Sequence, residues 1–200
     1  MQEGGAAIAL WWIGQGRADG EMLEAVRVHV GGEFGETVAL QVPAERPAGT
    51  LDVRRGQHSS REMLRWLVAH APPDGTRLLG ITDVDLFIPI LTFVFGEAQL
   101  AGRAAVVSCA RLVDDDDPDV TTRRLACEAV HELGHTFGLV HCAGTAAAAG
   151  GAGACVMSRA PSVRAVDAKS GRLCPDCRSR YRALRQDGWH VYRQHENSHR

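Results

Sequence analysis

One stretch, His131-Glu132-Leu133-Gly134-His135-Thr136-Phe137-Gly138-Leu139-Val140-His141, limits the folds open to this chain more than any other part of it. On a helix, side chains at i and i+4 lie one above the other, so two imidazoles four residues apart can reach one metal ion. His131 and His135 have that spacing, and Glu132 falls beside them. A third imidazole cannot come from the same helix without crowding, so the chain must turn sharply. Gly138 can take the positive φ that ends a helix, and His141 then swings back to the metal. Three neutral imidazoles leave a fourth tetrahedral position for water, which distinguishes an open catalytic zinc site from a closed structural one. An HExxH pair alone is a common accident, but the added glycine and third histidine fix two further positions.

Four cysteines follow this stretch: Cys142, Cys155, and the pair in Cys174-Pro175-Asp176-Cys177. A Cys-x-x-Cys pair and two single cysteines make a closed tetrahedral zinc site. Two disulfides are the competing reading, and a thiol redox role for Cys174 and Cys177 is a third. Nothing marks the chain as secreted, since Met1 to Gly5 lacks a basic n-region and the apolar run Ala6 to Ile13 is short. Reduced cysteines and a cytoplasmic location are therefore expected. Cys109 and Cys127 lie in apolar or helical contexts and are expected to pack as small hydrophobes.

Together these residues resemble the archaemetzincins, a branch of the metzincin zinc proteases whose signature joins HExxHxxGxxHC to a later CxM and then CxxC. The CxM element reads Cys155-Val156-Met157 here. The segments Gly80 to Leu86, Phe93 to Ala98 and Ala105 to Ser108 with Arg111-Leu112 are also similar to the family, so the likeness runs from about Leu78 to Cys177. It implies a catalytic zinc on His131, His135 and His141, and a second, structural zinc on Cys142, Cys155, Cys174 and Cys177. It further implies that Met157 forms an apolar floor beneath the catalytic zinc. The chain departs from the family in the spacer Ala143 to Ala154, which is longer than usual and almost entirely Ala and Gly, and in a slightly short spacing from Met157 to Cys174. Loop closure costs grow slowly with length, so this insertion is compatible with both sites; it is expected to be mobile and to lie near the cleft.

The 200 residues are 45% hydrophobic and 23% charged, which suits a single buried core. A net charge of −2 gives no electrostatic case for nucleic acid, and no apolar stretch approaches a membrane span. The chain is expected to be a monomer. Lys169 is the only lysine, which with the alanine richness points to a GC-rich genome. The pattern reads as α/β: strands at Ala6–Ile13, Thr37–Val42, Leu78–Val84, Thr92–Phe95 and Ala104–Ser108, with a short one near Leu51–Val53. Helices are expected over Glu21–His29, from a Ser59/Glu62 capping box toward Pro72, from Pro118 or Asp119 through the histidines, and over Arg178–Arg185, with Gln194–Arg200 frayed. Leu125, Ala129 and Leu133 give the histidine helix a face for the sheet. Asp114 to Asp117 reads as a solvated acidic run at that helix start, and His29, His58, His70, His190, His195 and His199 lack ligand spacing. The resemblance implies a metzincin-like mixed twisted sheet in an upper subdomain, residues 1–138, and a small lower subdomain, residues 139–200.

The expected chemistry is peptide hydrolysis by a zinc-bound water, with Glu132 as general base and then as acid toward the leaving amine. Peptides or proteins would be the substrates, and the likeness to metzincins implies that Thr92, Phe93, Val94 and Phe95 form an edge strand that pairs with an extended substrate. A zinc-stabilised peptide-binding protein with little turnover is the alternative; the intact Glu132 argues for hydrolysis.

Overall fold

The computed structural model describes residues 7–43, 45–143 and 153–196, with side chains through 186. In chain order the elements are β1 (Ile8–Trp12), α1 (Gly20–Phe34), β2 (Val38–Gln41), β3 (Leu51–Asp52), β4 (Gln57–Ser59), α2 (Ser60–His70), β5 (Arg77–Thr82), β6 (Leu86–Phe87), β7 (Gly96–Ala98), β8 (Ala104–Ser108), α3 (Pro118–Thr136), α4 (Val163–Asp167) and α5 (Pro175–Glu196). A five-stranded sheet has the order β2-β1-β5-β8-β7, and a three-stranded sheet the order β3-β4-β6. Neighbours among β2, β1, β5 and β8 run parallel, whereas β7 pairs antiparallel with β8 and forms an edge.

Both faces of the large sheet are covered, so its strands are near-continuous apolar runs split by their two-residue period. Ile8, Leu10, Trp12, Leu79, Ile81, Ala105 and Val107 join α1 and α3 in one buried cluster. Ala9, Ile13, Leu78, Ala104 and Val106 join Met63 and Leu67 of α2 in another. The helices begin where the sequence offers acceptors. Asp19 takes the amides of Glu21 and Met22 to open α1, and Ser59 takes that of Glu62 to open α2. Helix α1 runs beyond the expected His29 because Val30 and Phe34 are buried, and it stops at Gly35, whose φ is 67°. At α3 the acidic run supplies the cap: Asp117 accepts from the Asp119 amide, and Asp114 binds back to Asp117.

The expected strand at Thr92–Phe95 does not form. Val94 donates to the Leu86 carbonyl in a single bridge toward the small sheet, and only from Gly96 does the chain pair in register with β8, Gly96 opposite Val107 and Ala98 opposite Ala105. The β propensity of this segment is spent on side-chain packing instead: Phe93 and Phe95 meet edge-on at 5.2 Å, and the Arg111 guanidinium lies 4.3 Å over Phe93. The edge strand is therefore the residues just after the expected ones.

Cys155, Val156, Met157, Val166, Leu173, Cys174, Cys177 and Tyr181 belong to the same buried cluster as β1, α1 and α3. The last segment is tied to α1 by the Leu173 amide donating to Glu33 at 2.7 Å and by the Tyr181 hydroxyl donating to the Phe34 carbonyl at 3.1 Å. Helix α5 extends past the expected Arg185 and includes Gln194 to Glu196. The remainder of that tail and residues 144–152 of the Ala/Gly insertion, with its expected cover of the cleft, lie outside the described residues. No helix among the described residues is long and apolar enough to cross a membrane.

Candidate active site

Helix α3 ends beneath the edge strand, and its last turns carry His131, Glu132 and His135. The stop is a glycine motif: the Gly138 amide donates to the His135 carbonyl and the Leu139 amide to the Gly134 carbonyl, each at 2.9 Å. This arrangement needs a left-handed residue, and Gly138 has φ 92°. The reversal brings His141 back, with ring centroids 5.3 Å from His131 and 4.8 Å from His135.

Each of the two helical rings is oriented by a main-chain acceptor. His131 Nδ1–H donates to the Val156 carbonyl at 2.8 Å, and His135 Nδ1–H to the Leu139 carbonyl at 2.7 Å. A carbonyl can only accept, so both protons belong on Nδ1, and the two Nε2 lone pairs meet at 3.2 Å. Neutral nitrogens at that distance repel unless a cation lies between them. Tetrahedral zinc with bonds of about 2.0–2.1 Å requires its nitrogens about 3.3 Å apart. The nitrogens of His131, His135 and His141 all lie within 4.8 Å of one another, so the donor set fits zinc.

The cysteines form a second cluster. Sulfurs of Cys142, Cys155, Cys174 and Cys177 lie within 4.8 Å of one another, with Cys142 and Cys174 at 3.9 Å. That distance is far beyond a disulfide bond of about 2.05 Å and close to the roughly 3.8 Å separation of two sulfurs on one tetrahedral zinc. The two clusters are wired together. His141 and Cys142 are adjacent, the Cys142 amide donates to the Met157 carbonyl at 3.0 Å, and Val156, next to Cys155, holds His131. Cys109 and Cys127 are buried away from both clusters, and burial pushes their thiols up to about 11 and about 12.

Met157 is fully buried against α3. A Cβ placed on Gly134 would come within 2.5 Å of its sulfur, so the glycine in HELGH makes room for the methionine against the histidine helix. Gly134→Ala is expected to displace Met157 and destabilise the fold by about 1–3 kcal/mol, measured by denaturant unfolding; an unchanged midpoint would show that this contact is not tightly packed.

A cleft of about 450 Å³ opens over these residues, lined by the segment Leu91 to Gly96, by Glu128, His131, Glu132 and His141, and by Arg159 to Pro161. Thr92, Phe93, Val94 and Phe95 thus stand in its wall although they are not a strand. Burial, with the Glu128 charge adding to it, raises the Glu132 carboxyl well above the usual carboxylate range. Burial also lowers His131 and takes His141 down to about 4, which favours neutral imidazoles.

Two features escape the motif. Gly96 lies so close to Glu132 that an added Cβ would be 2.6 Å from its Cγ and 2.6 Å from the Val106 carbonyl, so only glycine lets the carboxylate rest against the edge strand. A glycine inside an apolar run was the available signal. Glu128, one turn before Glu132, forms a buried ion pair with Lys169 at 2.6 Å, joining two residues far apart in sequence. Of the other histidines, His29 bonds the Gly171 carbonyl, His58 bonds Thr50, and His70 stacks on Trp66.

The sequence profile described as Peptidase family M54 matches residues 24–183. The archaemetzincin of Methanopyrus kandleri is 41% identical over 149 residues, 74% of this chain and 79% of that protein. The crystal structure of archaemetzincin from the same organism superposes with a TM-score of 0.76 at 35% identity, covering 90% of this chain and 94% of the other. A zinc-dependent peptidase from Methanocorpusculum labreanum gives a TM-score of 0.75 at 25% identity, covering 87% and 99%. With fold, spacing and relatives in agreement, the chain belongs to peptidase family M54, the archaemetzincins, and is a zinc metallopeptidase.

Proposed function

We propose that His131, His135 and His141 hold the catalytic zinc, that Cys142, Cys155, Cys174 and Cys177 hold a second, structural zinc, and that Glu132 is the general base of peptide hydrolysis. The observation that carries this reading is the pair of Nδ1–H donors fixed on the Val156 and Leu139 carbonyls, which leaves two Nε2 lone pairs converging at 3.2 Å. When bound, zinc supplies Lewis acidity toward water and toward the scissile carbonyl.

The chain's own groups do the rest. The Glu132 carboxylate, buried against Gly96 and raised in proton affinity, takes a proton from the attacking water and passes it to the leaving amine nitrogen. Met157 and Gly134 pack as the floor that fixes the helix end. Thr92, Phe93, Val94 and Phe95 form the wall along which a substrate lies, and the edge of β7 just beyond them, last in its sheet among the described residues, offers main-chain pairing to an extended peptide. Among the four sulfurs the mutual spacing within 4.8 Å supports a closed site that holds Cys155-Val156-Met157 in place under α3.

Metal analysis of the purified protein is expected to give two zinc ions per chain and His135→Ala one, with loss of peptide cleavage. An unchanged metal count in His135→Ala would remove the histidine cluster from this role.

A further inference from the structure

Of the 22 lysine and arginine residues in the chain, only Lys169 is lysine. It is also buried, its side chain 1% exposed, whereas a compositional bias toward arginine acts most freely where either cation is tolerated. An ammonium is a compact charge on a slim stem and fits where a planar guanidinium does not. Its root is fixed: the Lys169 amide donates to the Val166 carbonyl at 3.0 Å, and its backbone bridges Ala154, next to Cys155. Its tip donates to Glu128 Oε1 at 2.6 Å and lies 3.4 Å from His131 Nδ1.

Glu128 lines the same cleft as His131, Glu132 and His141. Its side chain is 4% exposed, and beyond Lys169 it has no hydrogen-bond partner among the described residues. A carboxylate oxygen is a good zinc ligand, and Glu128 stands one turn before His131 on α3, in the wall of the same cleft. A protein carboxylate at the remaining vertex would turn an open centre into a closed one.

Resting on the reading of the three histidines as zinc ligands, we propose that Lys169 is a positioning residue that tethers Glu128 away from the metal and so keeps the fourth coordination position free for water and substrate. A buried ion pair of this kind contributes little net stability, so its worth lies in where it holds the carboxylate.

The test uses full-length protein carrying zinc at the cysteines and cobalt at the histidines, whose visible absorption reports the ligands of the cobalt. In Lys169→Met the cobalt bands are expected to shift, and in the zinc-loaded form kcat is expected to fall at least about tenfold, the lower range for loss of a residue supporting a metal centre. The double variant Lys169→Met/Glu128→Gln should return the bands to the wild-type position, because the intruding carboxylate is gone. Should Lys169→Met not fold, Lys169→Leu, which likewise leaves Glu128 without a donor, is read in the same way. Bands in the lysine variants that coincide with wild type, whatever happens to Tm or activity, would overturn the tether. Wild-type bands indifferent to His135→Ala would overturn the metal-centre reading itself, which separates the two failures.

Discussion

Glu132→Ala is expected to retain both zinc ions and the wild-type fold while kcat for peptide cleavage falls by about 10²–10⁴, the usual contribution of a positioned acid–base group. The carboxylate does not belong to either cluster of candidate ligands, so removing it leaves their donors untouched. It is buried against the edge strand, where burial raises its proton affinity, and truncation removes a proton carrier without opening a polar bond, since no hydrogen bond holds it among the described residues. KM should change little, because Glu132 touches the proton in transit more than the peptide. The measurement is steady-state hydrolysis beside metal analysis. Retained cleavage would show that the proton leaves by another route; cleavage absent in wild type too, with peptide still bound, would favour a binding protein.

Cys155→Ser is expected to have the largest effect on stability. The residue is fully buried, its sulfur accepts from the Cys174 amide at 3.4 Å, and loss of one donor leaves three thiols without a closed site. Structural zinc contributes directly to folding free energy, so a loss of several kcal/mol is expected. At about 2–4 °C per kcal/mol for a chain of this size, Tm should drop by about 10 °C or more. The damage is not confined to the cysteines, because Val156 orients His131 through its carbonyl. Zinc affinity at the histidines should fall by roughly 10–100-fold, in the range seen when the partner that orients a ligand is lost. A variant with one zinc, unchanged Tm and unchanged affinity at the remaining site would mean that the two centres are independent.

The parts of this site that could be read from the sequence are those fixed by local geometry. His131 and His135 require a helix, Gly138 a left-handed turn, and Ser59 with Glu62 a helix start; each depends on residues within a few positions of one another. Ala104 to Ser108 is a strand at the expected bounds because burial on both faces leaves a plain apolar run. What stayed hidden depends on chain segments meeting from afar. Thr92 to Phe95 has strand-forming residues, yet pairing with Leu86 and aromatic packing draw it off, and the edge begins at a glycine whose purpose is visible only with Glu132 beside it. The short strands β4 and β6 carry no periodicity long enough to show. Glu128 and Lys169 find each other only in three dimensions, although a lone lysine among arginines was a trace of it.

The direct succession of His141 and Cys142 also sets where this protein can change length. One residue's imidazole and the next residue's thiol serve different clusters, so a single insertion between them would pull one cluster off its donor geometry. Immediately downstream that constraint lifts, because the chain has only to return as far as Cys155, and it is there that the Ala/Gly-rich spacer lies. Tolerance of added length thus changes at one peptide bond, and engineered tags or reporter loops should be accepted after Cys142 and refused before it.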